Sequence, residues 1–513
     1  MGKGVFSQKV HNIIQFASFA LIAIGMPSTK ILMSLGLVFA IANWVLEGGF
    51  SEKWNGIRTN RLLQLLLLIY LLLIVGVIWS WDSFQGLKDI KSRLPILFLP
   101  LILGTSPLMK EKQIQWLLHL FLASLFVTSL YNVLYFNDVF GNYLPDDIRG
   151  LSRFASHIRY GLIISLGFGM CIWFQLHSKK FNILYSILTV WFAFYTIYSQ
   201  VLSGIIAFTL VCVVITFFLL YQWQRIIGLS FAGIFLVCIG WSFAYLFNLS
   251  HEDIDCGKLP EYTEKGERYD HSCLAFSEIN GKAILAYYSE REMFLEWNEI
   301  SDMDFMGSDK KGQMLRMTAA RYMTSLGLTK DAKGISKLTT EDIQNIEEGY
   351  TYPNEKNEIL KPRLYGIKFQ ILNNRFPNGH SLLQRIEHWK TAVFIINRYW
   401  LTGVGTGGNQ KAFDWAYEET DSPLYPENRL RSHNMFLAYT VSYGIWGLLL
   451  FVTLLGAIVY YAWKDKNLLS LIFFVVVFGS FFTEDTLETQ LGGNIFGFFL
   501  AISIYYQRKK RQK

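Results

Sequence analysis

Long apolar runs joined by short charged connectors occupy both ends of this chain, and one long water-loving stretch separates them. The runs approach the roughly 20 residues that carry an α-helix across a bilayer. They predict spans near 11–26, 31–48, 61–80, 94–106, 114–136, 157–176, 181–199, 201–221, 226–248, 434–462, 468–483 and 490–507, of which the first, fourth and eleventh are short enough to be tilted or partly re-entrant. The expected fold class is all-α: a polytopic membrane protein of about 12 transmembrane helices with one large extracytoplasmic loop. Residues 1–248 would form an N-terminal bundle of about nine spans, 249–432 the loop domain, and 433–513 a C-terminal group of about three. A composition of 52% hydrophobic and 16% aromatic residues agrees.

Lys and Arg collect in cytoplasmic loops. Lys3, Lys9 and the segments SEKWNGIRTNR, MKEK, HSKK, YQWQR, WKDK and QRKKRQK fall on one side of a twelve-span chain; FNDVFGNYLPDDIRG, the large loop and TEDTLETQ fall on the other. Both termini are therefore expected in the cytoplasm and the loop outside. The connector WDSFQGLKDIKSR puts Lys88, Lys91 and Arg93 on the wrong side, so either the rule is broken there or the segment lies amphipathically on the surface. The first apolar run lacks a small-residue cleavage site and reads as a retained span. The net charge of +7 is spread through the cytoplasmic loops and tail, which is a signature of orientation and argues against a nucleic-acid partner.

Cys171, Cys212 and Cys238 sit inside apolar spans as small hydrophobes. Cys256 and Cys273 lie in the outer loop, where an oxidising compartment permits a disulfide without requiring one. No CxxC or histidine cluster has zinc spacing, so no metal is expected.

The loop opens as a mixed, charged stretch without a period, expected to be a small irregular cap. Met314, Met317, Tyr322 and Leu326 then follow helical spacing with Gly327 as a stop, and TTEDIQNIEEG reads as a short helix capped by Thr339 or Thr340. SLLQRIEHWKTAVFIINRYW places Leu382, Ile386, Trp389, Val393 and Ile396 at steps of three or four, an amphipathic helix on which Arg385 and Trp389 share a face.

Cations at an outer membrane face suit an anionic, lipid-borne ligand. Arginine binds two phosphate oxygens at once and stays charged. The outward-facing candidates are Arg149, Arg153, Arg159, Arg385, Arg429 and Arg431. Arg159 borders an apolar run, where an ion at mid-membrane costs about 2.5–3.5 kcal/mol, so it should face a polar cavity or lie near the interface; interfacial arginines also simply snorkel. His433 opens the tenth span, and neighbouring arginines would favour a neutral ring able to take a proton from an attacking hydroxyl; the plainer reading is a loop-bonding interfacial histidine. The GVGTGG run, with Gly405 at its centre, lacks the Lys-Ser/Thr of a P-loop and reads as a tight turn whose N–H groups approach another chain or a phosphate. Asp302 and Asp304 form a weak DxD pair without a surrounding strand–helix pattern. Glu484, Asp485 and Glu488 form an outer acidic patch that would orient an acceptor, balance the arginines, or only be solvated.

Two stretches carry a resemblance. RIEHWKTAVFIINRYWLTGVGTG, with Arg385, Trp389 and the Gly-Val-Gly turn, and HNMFLAYTVSYGIWGLLLF, beginning at His433, resemble the O-antigen ligase and polymerase family of bacterial membrane proteins. SRFASHIRYGLIISLG and FTEDTLETQLGGNIFGFFLAI are similar to it as well. The resemblance implies a GT-C-like fold in the bacterial cytoplasmic (inner) membrane and a part in lipopolysaccharide biosynthesis at the cell envelope. It implies inverting transfer of a glycan from undecaprenyl pyrophosphate to a hydroxyl acceptor such as lipid A-core, with no nucleotide, cofactor or essential metal. It implies that His433 is the essential histidine and Arg385 a pyrophosphate contact; Arg431 and Gly405 are further candidates for binding the pyrophosphate. A second family arginine precedes a small pair at the start of a middle span; here YSQVLSGIIAF has Leu202 instead, and Arg153 or Arg159 is expected to substitute. Alternatives in the same chemistry are a polymerase extending lipid-linked repeats and a protein O-oligosaccharyltransferase. A polysaccharide or lipid transporter is the alternative from another class, and the sequence has neither a clear repeat nor paired interrupted spans.

Overall fold

The computed structural model describes residues 5–141, 148–177, 182–248, 256–271, 278–279, 282–353, 355, 377–379 and 381–512. Helices dominate it. The N-terminal series is α1 (Gln8–Ser28), α2 (Lys30–Leu46), α3 (Phe50–Thr59), α4 (Arg61–Val75), α5 (Ser83–Ser92), α6 (Leu94–Thr105), α7 (Glu111–Phe136), α8 (His157–His177), α9 (Asn182–Tyr198), α10 (Leu202–Trp223) and α11 (Arg225–Asn248). Then come α12 (Glu290–Ile300), α13 (Leu315–Ser325), α14 (Ala332–Ile335), α15 (Thr340–Glu347), α16 (Ser381–Tyr399) and α17 (Asn409–Glu419). The chain ends with α18 (Met435–Lys464), α19 (Leu468–Ser480) and α20 (Gln490–Arg511). The strands among the described residues are a hairpin of Glu278–Ile279 with Lys282–Ala283.

A helix occupies each of the twelve expected apolar segments. Six (α1, α7, α8, α10, α11 and α18) are long and apolar enough to cross a membrane, and α2 with α3 makes a seventh if that bent pair is one span. The protein is an integral membrane protein. The bent pair is α2–α3, turned by 111°. Gly48 and Gly49, at φ of 67° and 65°, break the chain there in a conformation that residues with a Cβ rarely adopt.

Two compact units divide the chain, Met1–Phe231 with Arg385–Lys513, and Ala232–Gln384. In the first, small residues let helices approach, as expected where lipid gives helices no hydrophobic reason to associate. A Cβ on Gly161 of α8 would stand 3.0 Å from the Gly204 Cα of α10, and Ser165 Oγ donates to the Gly204 carbonyl at 3.0 Å. The small pair Ser203-Gly204 thus seats α8, the helix that carries Arg159.

In the second unit, Trp297, Phe305, Tyr322 and Met323 are fully buried. Helix α13 occupies the expected stretch and Gly327 follows it at φ 74°, while Thr339 and Asp342 form a reciprocal capping box at the start of α15. Asp304 accepts from the Met306 N–H of its own turn at 3.1 Å. Cys273 lies outside the described residues, so the disulfide with Cys256 that the sequence permits does too.

Helix α16 forms where the apolar steps predict it, but on a different buried face. His388, Thr391, Ala392 and Ile395 are buried, whereas Val393, on the expected stripe, is 48% exposed. Val393 is thus an outward apolar position, and periodicity alone does not distinguish protein from lipid as its partner.

Helix α18 is interrupted at Gly444 (φ 61°, ψ −154°). The Trp400–Leu401 backbone lies against the break, and a Cβ on Gly444 would meet the Leu401 carbonyl at 2.4 Å. Ile445 N–H donates across it to the Trp400 carbonyl at 2.8 Å. This interrupted span was not expected from the sequence.

Candidate functional site

Backbone ties bring the start of α18 to the end of α19. Met435 N–H donates to the Phe481 carbonyl at 2.8 Å, and Asn434 caps α18 by accepting from the N–H groups of Phe436 and Leu437. Trp389 of α16 adds a third tie, its indole N–H donating to the Ser432 carbonyl at 3.0 Å. Between these anchors His433 takes φ 48°, a left-handed conformation uncommon for a residue with a Cβ and frequent at functional sites. The turn from Thr483 to Thr489 faces it and carries Glu484, Asp485 and Glu488, all with buried side chains.

Each carboxylate holds a different cation. Glu484 stands between two helices: Oε1 is 3.3 Å from Arg385 Nη2 of α16, and Oε2 is 3.8 Å from Arg159 Nη2 of α8. Asp485 Oδ2 is 3.1 Å from His433 Nδ1. Glu488 Oε1 is 3.0 Å from Arg93 Nη2, and its Oε2 is 2.5 Å from Arg431 Nη1. Four guanidinium groups therefore meet three carboxylates of one turn, and Asp89 of α5, 4.0 Å from Arg93 Nη2, adds a fourth carboxylate to the cluster.

Burial pushes the Glu484 carboxyl above its ordinary value, with the charges of His433, Arg159 and Arg385 pulling against it. Burial also acts on Asp485, but the His433 hydrogen bond and the nearby cations outweigh it and hold this carboxyl low. Glu488 is shifted up by burial despite its two arginines. Glu488 in turn raises Arg431, against desolvation. Ionised Asp485 is an acceptor only, so its contact with His433 places the ring proton on Nδ1 and leaves Nε2 as the basic nitrogen. The direct partner of the ring is a carboxylate, which the sequence did not indicate.

His388, one turn after Arg385 on α16, lies with its ring centre 5.7 Å from that of His433. Its Nε2 is 3.0 Å from the Asn428 carbonyl, and burial holds its imidazole below the usual histidine value.

Other expected residues lie elsewhere. Arg153 is exposed and sits over the Tyr135 ring at 4.3 Å, away from the carboxylate turn. The side chain of Arg149 lies outside the described residues. Arg429 Nε donates to the Leu424 carbonyl at 3.1 Å.

Gly405 is corrected as a phosphate contact. Its N–H donates to the Ser442 carbonyl at 2.9 Å, and those of Val404 and Thr406 donate to Val441 and Gly76. At φ 81° its missing Cβ would stand 2.5 Å from the Gly76 carbonyl. These glycines allow backbone to pack on backbone, the first of the two readings open for the turn.

Sequence reasoning missed the roles of Arg93 and His388. Arg93 had one signal, a charge on the wrong side of the membrane by the orientation rule. Its burial against Glu488, with Tyr443 OH at 3.4 Å, removes that charge from the rule. The surrounding connector forms α5, whose Gly86 is buried.

Residues 337–452 match the family model described as O-antigen ligase. The match supports membership of that family and covers Arg385, His388, Arg431 and His433, while Arg93, Arg159 and the carboxylate turn lie outside it. No curated protein matches the chain.

Proposed function

We propose that this chain, which carries the O-antigen ligase domain, is a membrane glycosyltransferase that moves a glycan from an undecaprenyl-pyrophosphate carrier to a hydroxyl acceptor of the lipid A-core kind. The observation that carries the reading is the convergence of Arg159 and Arg385 on one point, Glu484, beside the residue that binds His433. Two guanidinium groups from separate helices suit a diphosphate, whose charge grows as the glycosyl bond breaks.

In the proposed step, His433 Nε2 takes the proton of the acceptor hydroxyl while Asp485 stabilises the imidazolium that forms. The acceptor oxygen bonds to the anomeric carbon from the face opposite the leaving group, so configuration inverts. The bonding pair of the carbon–oxygen bond leaves with the diphosphate, and Arg385 and Arg159 meet its charge. Arg431, fixed by Glu488, extends the cationic wall.

The same reading takes the twelve apolar helices as a twelve-span bundle in the bacterial cytoplasmic membrane. Both termini are cytoplasmic, the 249–432 loop domain is periplasmic and the carboxylate turn is at the outer face.

The test is transfer in detergent from a defined polyprenyl-pyrophosphate glycan to candidate acceptors, which needs no second compartment and so separates an enzyme from a transporter. Lipid A-core, a second lipid-linked repeat and a protein hydroxyl, supplied separately, resolve ligase, polymerase and protein glycosylation. Normal membrane abundance with undiminished transfer in His433→Ala rejects the mechanism.

A further inference from the structure

Glu484 occupies the position between two arginines that an anionic ligand would require. Its two carboxylate oxygens point to different helices, one at Arg385 of α16 and the other at Arg159 of α8. The geometry is that of a bridging anion, two oxygens on a common centre each meeting a guanidinium. Both arginine side chains keep about a quarter of their surface open, whereas Glu484 keeps 9%. The arginines are reachable from outside and the carboxylate is seated behind them. The Arg159 contact is not saturated: the pair is 3.8 Å apart, and Arg159 Nε, although buried, has no hydrogen-bond partner among the described residues.

Resting on the pyrophosphate reading above, we propose that Glu484 is an internal stand-in for the donor's diphosphate, holding Arg159 and Arg385 together in the empty site and yielding them when the headgroup arrives. A lone pair of buried guanidiniums would repel each other and remain undersolvated, and the carboxylate removes both costs. A diphosphate brings more charge and more oxygens than one carboxylate, so it wins the exchange, but with an affinity lowered by the fraction of time that Glu484 occupies the arginines. The arginines thus stay aligned without a ligand, and weak anions of the periplasm compete against a carboxylate already in place. Glu484 is a positioning residue in this scheme and touches no reacting atom. Asp485 stays with His433 throughout, so the exchange leaves the imidazole's partner in place.

The experiment measures the Kd of inorganic pyrophosphate, in a chelator-containing buffer, for the full chain in lipid nanodiscs. Glu484→Gln and Glu484→Asp are compared with the parent, together with Arg385→Ala in each background. Both Glu484 variants should bind about tenfold tighter, as expected if the bridge is closed about nine-tenths of the time. The Asp variant keeps the charge and loses the reach, so tightening in Gln alone means simple repulsion and overturns the exchange. Unchanged or weaker binding in both overturns it as well. Arg385→Ala should weaken binding in every background; pyrophosphate binding indifferent to Arg385 rejects instead the donor-site reading on which the inference rests. Where Glu484→Gln fails to give monodisperse nanodiscs, Glu484→Asp decides the question by itself: tightening supports the exchange and unchanged or weaker binding overturns it.

Discussion

His433 Nδ1 lies 3.1 Å from Asp485 Oδ2, although fifty-odd residues and two helices separate them in the chain. The contact exists because α18 begins where α19 ends, the Met435 N–H being bonded to the Phe481 carbonyl. A carboxylate behind an imidazole fixes its tautomer and stabilises its cation. Asp485→Asn should therefore lower kcat by about 10²–10⁴-fold, because the amide offers a donor where an acceptor is needed and turns the ring's basic nitrogen inward. Donor KM should change little. A parent-like kcat in Asp485→Asn would show that the ring works without its carboxylate.

Arg385 and Arg159 reach one carboxylate from two helices, each through a single Nη2, whereas a diphosphate offers enough oxygens to engage both arms of a guanidinium fork. Lysine keeps the charge and loses the fork. Steady-state transfer kinetics should show kcat/KM falling about 10²–10³-fold in Arg385→Ala, with Arg385→Lys recovering only a small part. Full recovery by lysine would mean that a point charge suffices. Arg153, stacked on Tyr135, serves as the control and should leave transfer unchanged when made Ala.

The helices were legible from the sequence because membrane-length apolar runs leave the backbone no alternative to internal hydrogen bonding. The capping box at Thr339 and the helix bearing Arg385 were legible for a similar reason, since caps and i,i+4 faces are local. What could not be read was pairing at long range. Arg93 and Glu488 are 395 positions apart, and no local period links a charge that looks misplaced in an N-terminal connector to a turn near the C-terminus. The acidic patch was visible as a patch, but assigning Glu484 to two arginines, Asp485 to histidine and Glu488 to two further arginines required the packing of α8, α16, α18 and α19. Gly405 illustrates the converse: a glycine run looks the same whether its N–H groups meet phosphate or, as here, the carbonyls of another segment.

Arg93 is buried and its guanidinium meets Glu488, which is itself almost wholly buried. Removing one member of a buried pair leaves the other uncompensated, at about 3–5 kcal/mol. Arg93→Ala should accordingly lower the unfolding free energy in mixed micelles by about 3 kcal/mol, at the lower end because Arg431 still faces Glu488. Arg431 is one-third exposed, so Arg431→Ala should cost clearly less. Equal losses in the two variants would contradict the assignment of Arg93 as the buried anchor.

His388 makes stability fall on the acid side of neutrality. Burial holds its imidazole below the ordinary value of about 6.5, with the Asn428 carbonyl pulling the other way. Between the native and unfolded values the unfolded chain binds more protons, so stability rises with pH across that window. The contribution is full above about 6.5 and is lost as pH falls through the native value. Asp485, also depressed, acts with the same sign but below the ordinary carboxylate range. Glu484, raised by burial, has the opposite sign: its contribution is full when protonated and declines as pH rises from the ordinary carboxylate value through the native one. Thermal unfolding in detergent at about pH 7.5 and about pH 5.5 should show a drop in Tm for the parent and a smaller drop for His388→Gln, whose amide can still donate to Asn428. Equal drops in the two proteins would assign the acid sensitivity to other groups.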